Sequence, residues 1–332
     1  MRPNGITKQQ WFKYNSLLVL EHFLGLKLSE KIVRPLRNKL YTEVLQNKAI
    51  ANRGETIPTE SITHTDFSAF VNNKNSLLNK PYLFKGVAKD WPAIQKWNKS
   101  YFKEHYGDIQ VPLVDKIPGI RDDKGKYNKI NFRQYFEEIE KGNKIYLSFS
   151  RVLDHNPELR KDLNIDWLRQ FEWGTVNGEQ TFFFMGEEGT KTEMHNGFAQ
   201  TLFIQVEGKK RWTIWAPEER FFLDPVAGRH THFYSFVNPH NDNDPRYPLS
   251  KYAKKYELEL EAGDVLWFPA LFWHYVENPT ANIGVAFKWV NVPQNFKISK
   301  LLTTLVLMAT KPSLLESFIY NKIYKQDIVF DK

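Results

Sequence analysis

The sequence predicts a mainly β fold, a barrel or sandwich, with helical segments at both ends. Three observations carry this. Between Thr181 and Val292 short runs rich in aromatic and β-branched residues follow one another: "TFFFM", "TLFIQV", "RWTIWA", "YELEL", "DVLWFP", "WHYVEN" and "IGVAFKWV", punctuated by Gly208, Gly263, Pro269 and Pro279. The first sixty residues instead show helical apolar spacing, as in Trp11, Leu18 and His22. Helical spacing returns from Phe296, in "KLLTTLVLMATKPSLLESFIYNKI".

Taken in order, residues 1–60 are a helical N-terminal extension ending in Asn52-Arg53-Gly54-Glu55-Thr56-Ile57-Pro58, a stretch with the composition of a linker. Residues 61–295 form the main domain. Its first part is mixed: "KPYLFKGVAKDWPAIQKW" predicts a strand, a turn and a helix start, and "NFRQYFEEIEKGNK" an amphipathic helix stopped by Gly142. In the β-rich part, "TEMHNGFAQTLFIQVEGKKRWTIW" predicts two strands joined by a Glu207-Gly208 turn, with His195 at the head. Residues 296–332 close the chain with one or two apolar helices, a type of terminus that often pairs between subunits and so offers a route to a homodimer. No internal repeat is visible.

Composition bounds the chemistry. At 332 residues and 42% hydrophobic, the chain can build a substantial core. It has no cysteine, which removes disulfides, zinc fingers, iron–sulfur clusters and cysteine nucleophiles, and leaves histidine and carboxylate to hold any metal. Glu21 and His22 interrupt the run Leu17 to Leu26, and Leu301 to Ala309 is too short to span a bilayer, so neither a signal peptide nor a membrane span is expected and the cytoplasm is the default. The net charge of +8 comes from scattered lysines without a nucleic-acid-binding motif, so no nucleic acid is expected. Residues 1–45 hold eight Lys or Arg against three Glu. An amphipathic layer packed on the main domain accounts for that segment better than an anionic partner does.

Histidines near two predicted strands come next. His195 and His274 can meet if their strands oppose each other in a small barrel, though a lone histidine is usually a surface or core group. Five ordered blocks change the weighting: "PYLFKGVAKDWPAIQKW", "YLSFSRVLDHNPELRKDL", "GTKTEMHNGFAQTLFIQVEGKKRWTIWAP", "NPHNDNDPRYPL" and "LEAGDVLWFPALFWHYVEN". Together they resemble the JmjC or cupin-like iron(II)- and 2-oxoglutarate-dependent oxygenases, particularly the branch containing the hypoxia-inducible-factor asparaginyl hydroxylase. The resemblance runs from about Lys80 to Val292. It implies a double-stranded β-helix (cupin or jelly roll) with helices packed outside, and iron(II) held by a His-x-Asp pair and a distant histidine. By that resemblance His195 matches the first ligand and His274 the last, while Gly197 falls where the acid belongs. Tyr146, Thr192 and Lys210 fall where the branch holds the distal carboxylate of 2-oxoglutarate. The physics agrees, because a dicarboxylate entering a low-dielectric barrel needs a fixed cation and hydroxyl donors. The plain alternative is that Lys209 and Lys210 are solvated beside a turn and Tyr146 is a core aromatic.

Glycine has no side chain with which to coordinate a metal. Its presence at position 197 leaves a ligand-sized gap for water or an anion. His195-Asn196-Gly197 is similar to the signature of the aliphatic halogenases, in which a small residue makes room for chloride on iron and a C–H hydrogen is replaced by chlorine. This implies Fe(II), 2-oxoglutarate and chloride as cofactors, and an unactivated aliphatic C–H bond in a small molecule or a peptide or protein as the target. Three rivals stand beside halogenation: a hydroxylase with water in the gap, a hydroxylase with another carboxylate such as Glu193 there, and a noncatalytic binding module. Asn196 is a candidate donor to an anion or substrate, weighed against a solvated loop asparagine. Thr201 and Gln205 are expected to share a face with Gly197 if the strand is regular. Lys288 either points into the barrel mouth or marks a solvent-exposed strand face. "HNDNDPRYP" lacks the spacing of an EF-hand and is read as a turn-rich connection.

Overall fold

The short apolar runs pair into two sheets that face each other, a jelly-roll double-stranded β-helix with helices on its outer faces. This computed structural model describes residues 1–62, 76–114, 127–174, 177–228 and 232–309. One sheet has the order β1 (Thr56–Ile57), β11 (Lys255–Leu260), β10 (Lys210–Trp215), β13 (Trp273–Glu277), β8 (Lys191–Asn196). The other runs β2 (Glu60–Ile62), β3 (Tyr82–Phe84), β12 (Val265–Phe268), β9 (Gln200–Glu207), β14 (Asn282–Val290), β7 (Asn177–Gly186), β6 (Tyr146–Ser150). A separate hairpin joins β4 (Gln110–Val114) to β5 (Tyr127–Asn131). Between the sheets lies an aromatic-rich cluster that includes Phe184, Phe203, Trp212, Phe268 and Phe272.

Each sheet buries its outer face under helices. On the larger sheet, helices Pro92–Lys96, Lys99–Tyr106 and Phe132–Glu140 bring Trp97, Phe102, Phe132 and Tyr135 against Phe183 and Val285. Asn131 and Gln134 form a capping box that starts the last of these, and Gly142, at φ +87°, follows its end. The smaller sheet is covered by α1 (Lys8–Leu24) and α2 (Leu26–Leu45), separated at Gly25, whose φ of +72° breaks the helical path. Tyr14, Leu18, Leu40 and Val44 there join Met194, Trp215 and Trp273 in one cluster, and Leu302, Leu305 and Val306 of the C-terminal helix Lys300–Ala309 complete it. The predicted helical tail beyond 309 lies outside the described residues. Among the described residues no helix is long and apolar enough to cross a membrane.

Two expectations change. The stretch 52–58 is built into the fold: β1 pairs in parallel with β11, and the Arg53 guanidinium meets the buried Glu219 carboxylate at 2.6 Å. Residues 192–207 are two strands in place of one, because the chain leaves β8 after Asn196 and crosses to the opposite sheet as β9. The Glu207-Gly208 turn between β9 and β10 is as expected, with Gly208 at φ +70°.

Candidate metal and cosubstrate site

β8 and β13 are antiparallel neighbours in a register that sets His195 opposite His274. Both side chains are buried, and their ring centroids lie 4.2 Å apart. His195 Nδ1 is 2.9 Å from the Glu193 carbonyl and His274 Nδ1 is 3.2 Å from the Phe272 carbonyl. A carbonyl only accepts, so each Nδ1 donates its N–H there and Nε2 is the ring nitrogen that would meet a metal. Phe268 and Trp212 flank the His274 ring, at 4.9 and 5.8 Å between centroids.

Thr192 and His195 are three apart, and on a regular strand they would face opposite ways. The register jumps here: His195 pairs with His274 and Thr192 with Val276, so Glu193 and Met194 together oppose Tyr275. This bulge turns both Thr192 and His195 into the barrel. Glu193 faces outward, 3.1 Å from Lys191, and Met194 packs under the N-terminal helices.

Lys210 opens β10 and is fully buried. Its Nζ donates to Asn278 Oδ1 at 2.8 Å and to the Tyr146 hydroxyl at 3.4 Å, and lies 5.2 Å from the centre of the Phe203 ring. Burial pulls its pKa down to about 7, with no carboxylate among the described residues acting on it. Tyr146 is pushed up to about 12 by burial, against hydrogen bonds from Thr192 and Asn278. Asn278 is in turn fixed by donating to Thr190 Oγ1 at 2.7 Å. The sequence reading missed Asn278; the available signal was a polar residue closing the apolar run "WHYVEN".

Tyr146, Thr192, His195, Lys210 and His274 thus line one cavity between the sheets, together with Thr201 and Lys288, and no acidic side chain lines it among the described residues. Lys288 also lies 5.1 Å from the centre of the Phe149 ring. The donor set fits an anionic cosubstrate beside a histidine-bound metal. The space left among these side chains is only ≈ 20 Å³, about one water molecule, so seating a dicarboxylate requires side chains to move. Among the described residues no group of three His, Asp or Glu is assembled to hold a metal ion.

Other candidates fall elsewhere. Gly197 lies in the turn after β8, where its carbonyl accepts from Leu271 N–H at 2.7 Å. A Cβ built on Gly197 meets nothing within 4 Å, and its φ lies outside the left-handed region, so the backbone does not require glycine. Asn196 is neither solvated nor in the cavity: it faces away from His195, buried, with Oδ1 accepting from Phe233 N–H at 2.8 Å. Thr201 lines the cavity, but Gln205 does not share its role. A register shift between β9 and β14 intervenes near Gln205, which donates to the Glu207 carbonyl at 2.7 Å. "HNDNDPRYP" is turn-rich, with Asp244 gripped by Arg246 at 2.7 Å.

Comparison with known proteins gives a consistent picture. A family model described as a cupin-like domain matches residues 68–295. "JmjC domain-containing protein D" of Dictyostelium discoideum is 24% identical over 266 residues, covering 74% of this chain and 59% of the relative. "Lysine-specific demethylase 8" of Xenopus tropicalis is 26% identical over 218 residues, 63% of this chain and 48% of the relative. "tRNA wybutosine-synthesizing protein 5" of Mus musculus is 33% identical over 243 residues, 64% of this chain and 72% of the relative. The chain spans about half the length of several curated relatives it matches.

Proposed function

The chain belongs to the cupin-like domain family, and from that premise we propose that it is an iron(II)- and 2-oxoglutarate-dependent oxidative enzyme acting on an unactivated aliphatic C–H bond, with halide beside Gly197 and halogenation as the outcome. The carrying observation is Lys210, a buried amine in the histidine-lined cavity with no carboxylate among the described residues acting on it. Burying an amine without a counter-ion costs stability, and a resident anion offsets that cost.

In this reading His195 and His274 hold the metal through Nε2, and Lys210, Tyr146 and Thr192 take the distal carboxylate of 2-oxoglutarate. Iron with 2-oxoglutarate supplies the oxidising power that breaks the C–H bond. Phe268, Trp212 and Phe203 keep water from the ligands and strengthen each charged contact inside. Gly197 supports the halide: its backbone does not require glycine and a Cβ there meets nothing within 4 Å, so the missing donor leaves space beside the histidines in this reading. The outward-facing Glu193 lends no support to a substitute carboxylate from that residue, and a hydroxylase with water at this position is the nearer alternative. The ≈ 20 Å³ cavity favours a second reading, a noncatalytic binding module.

The test is succinate release from 2-oxoglutarate in air with iron(II), with and without chloride or bromide, followed by mass spectrometry for a halogenated product. Halide-dependent product supports halogenation, and an oxygenated product in its place supports the hydroxylase. No succinate, together with iron binding unchanged in His195→Ala and His274→Ala, removes the enzyme.

A further inference from the structure

Register arranges the cavity face of the larger sheet into rows. Phe268 on β12 opposes Thr201 on β9, Thr201 opposes Lys288 on β14, and Lys288 opposes Gln180 on β7. Directly opposed residues of antiparallel strands project from one face with Cβ atoms about 5 Å apart, so these four stand side by side. Period does the rest: Phe287 and Trp289, on either side of Lys288, are buried in the outer core, which leaves Lys288 to the cavity it lines. The adjacent row holds Phe203 and Ala286, both buried, and Lys210 Nζ lies 5.2 Å from the centre of the Phe203 ring.

Exposure grades the first row outward: Thr201 is buried, Lys288 half-buried and Gln180 exposed. At its inner end the row reaches the histidines, because the Phe268 ring centroid is 4.9 Å from that of His274. Ring faces position the ammonium, with Nζ 5.1 Å from the centre of Phe149 and 5.8 Å from that of Phe182. The cavity thus carries two cations in different rows. Lys210 sits at the buried end with Tyr146 and Asn278, and Lys288 in the row that opens to solvent.

We propose that the substrate is a carboxylic acid, and that Lys288, with Thr201 and Gln180, receives its carboxylate at the open end of the cavity beside the histidine pair. This rests on the proposed oxidative site, in which Lys210 takes 2-oxoglutarate. An unactivated aliphatic C–H bond offers no polar handle, so which carbon meets the metal has to be fixed by a group elsewhere on the molecule. Ammonium, hydroxyl and amide in one row supply donors for two carboxylate oxygens. Phe149, which lines the same cavity, gives the methylenes an apolar wall.

Calorimetric titration of the full chain carrying cobalt(II) and 2-oxoglutarate is the test, with the straight-chain acids from butanoate to decanoate and their primary amides as probes. At least one acid is expected to bind about tenfold or more tightly than its amide. Lys288→Met should abolish that preference and Lys288→Arg retain it, while both bind 2-oxoglutarate as the wild type does. Absence of any preference for acid over amide in the wild type, or a preference that survives in Lys288→Met, overturns the proposal and leaves the oxidative site standing. A loss of 2-oxoglutarate affinity in Lys288→Met assigns the residue to the cosubstrate and overturns it as well. Binding of 2-oxoglutarate that is indifferent to Lys210→Met overturns the oxidative site itself, and this inference with it.

Discussion

Lys210 is the residue on which pH should act. Its pKa falls from 10.5 to about 7 on folding, because burial disfavours the ammonium. Between those values the unfolded chain holds one proton more than the folded one, so the stability of the ligand-free protein rises with pH in that range, by up to about 1.4 kcal/mol per unit. Urea unfolding at pH 7, 8 and 9 should show a steeper rise for wild type than for Lys210→Met. In the proposed site anion binding has the opposite sign, since 2-oxoglutarate would pair with the protonated amine. Its affinity, by calorimetry with a redox-inert metal, should increase as pH is lowered from 8.5 to 6.5, and Lys210→Met should lose both the affinity and its pH dependence. The assignment of Lys210 fails if wild type and variant show the same profile.

At the scale of elements, the turns that border the two histidine-bearing strands are tied together by the hydrogen bond from Leu271 N–H to the Gly197 carbonyl. Leu271 makes this bond at φ +67°, a left-handed conformation that costs a branched side chain about 1–2 kcal/mol. Glycine relieves that strain, yet Leu271 is buried, and losing a buried leucine costs about 2–5 kcal/mol. Burial wins, so Leu271→Gly should lower stability by about 1 kcal/mol or more, measured by urea midpoint. What the sequence allowed one to read at this scale followed from period and punctuation: the strand runs, the Glu207-Gly208 turn and the helix ending near Gly142 all stand where the pattern put them. Three features did not follow. The bulge that turns Thr192 and His195 to one face is set by pairing with β13, and no local pattern announces an extra residue. The break after Asn196 depends on the chain changing sheets, and a register shift against β14 takes Gln205 out of the cavity that Thr201 lines, where a regular strand had been expected to keep them on one face. Asn278 gains meaning only from Lys210, which is 68 residues away in sequence and 2.8 Å away in space.

For the whole molecule, the N-terminal helices complete the core behind β8. Arg37, nearly inaccessible at 1% exposure, pairs with Glu21 on α1 and at 3.1 Å with Asp224, which also accepts from Tyr41 at 3.0 Å. Removing one member of such a buried set leaves the remaining charges uncompensated. Arg37→Met should therefore lose about 3–5 kcal/mol, and equal stability of the two proteins in urea would show the network to be dispensable. The tightness of the barrel interior sets how fast anything can enter it. A chamber sized for one water cannot take a five-carbon diacid by collision alone, so entry must wait for a spontaneous widening between the sheets. Stopped-flow tryptophan fluorescence, with Trp212 beside His274 as reporter, should show an observed rate that levels off at high 2-oxoglutarate concentration. The plateau is the barrel's own breathing frequency, a ceiling that no increase in cosubstrate supply can raise.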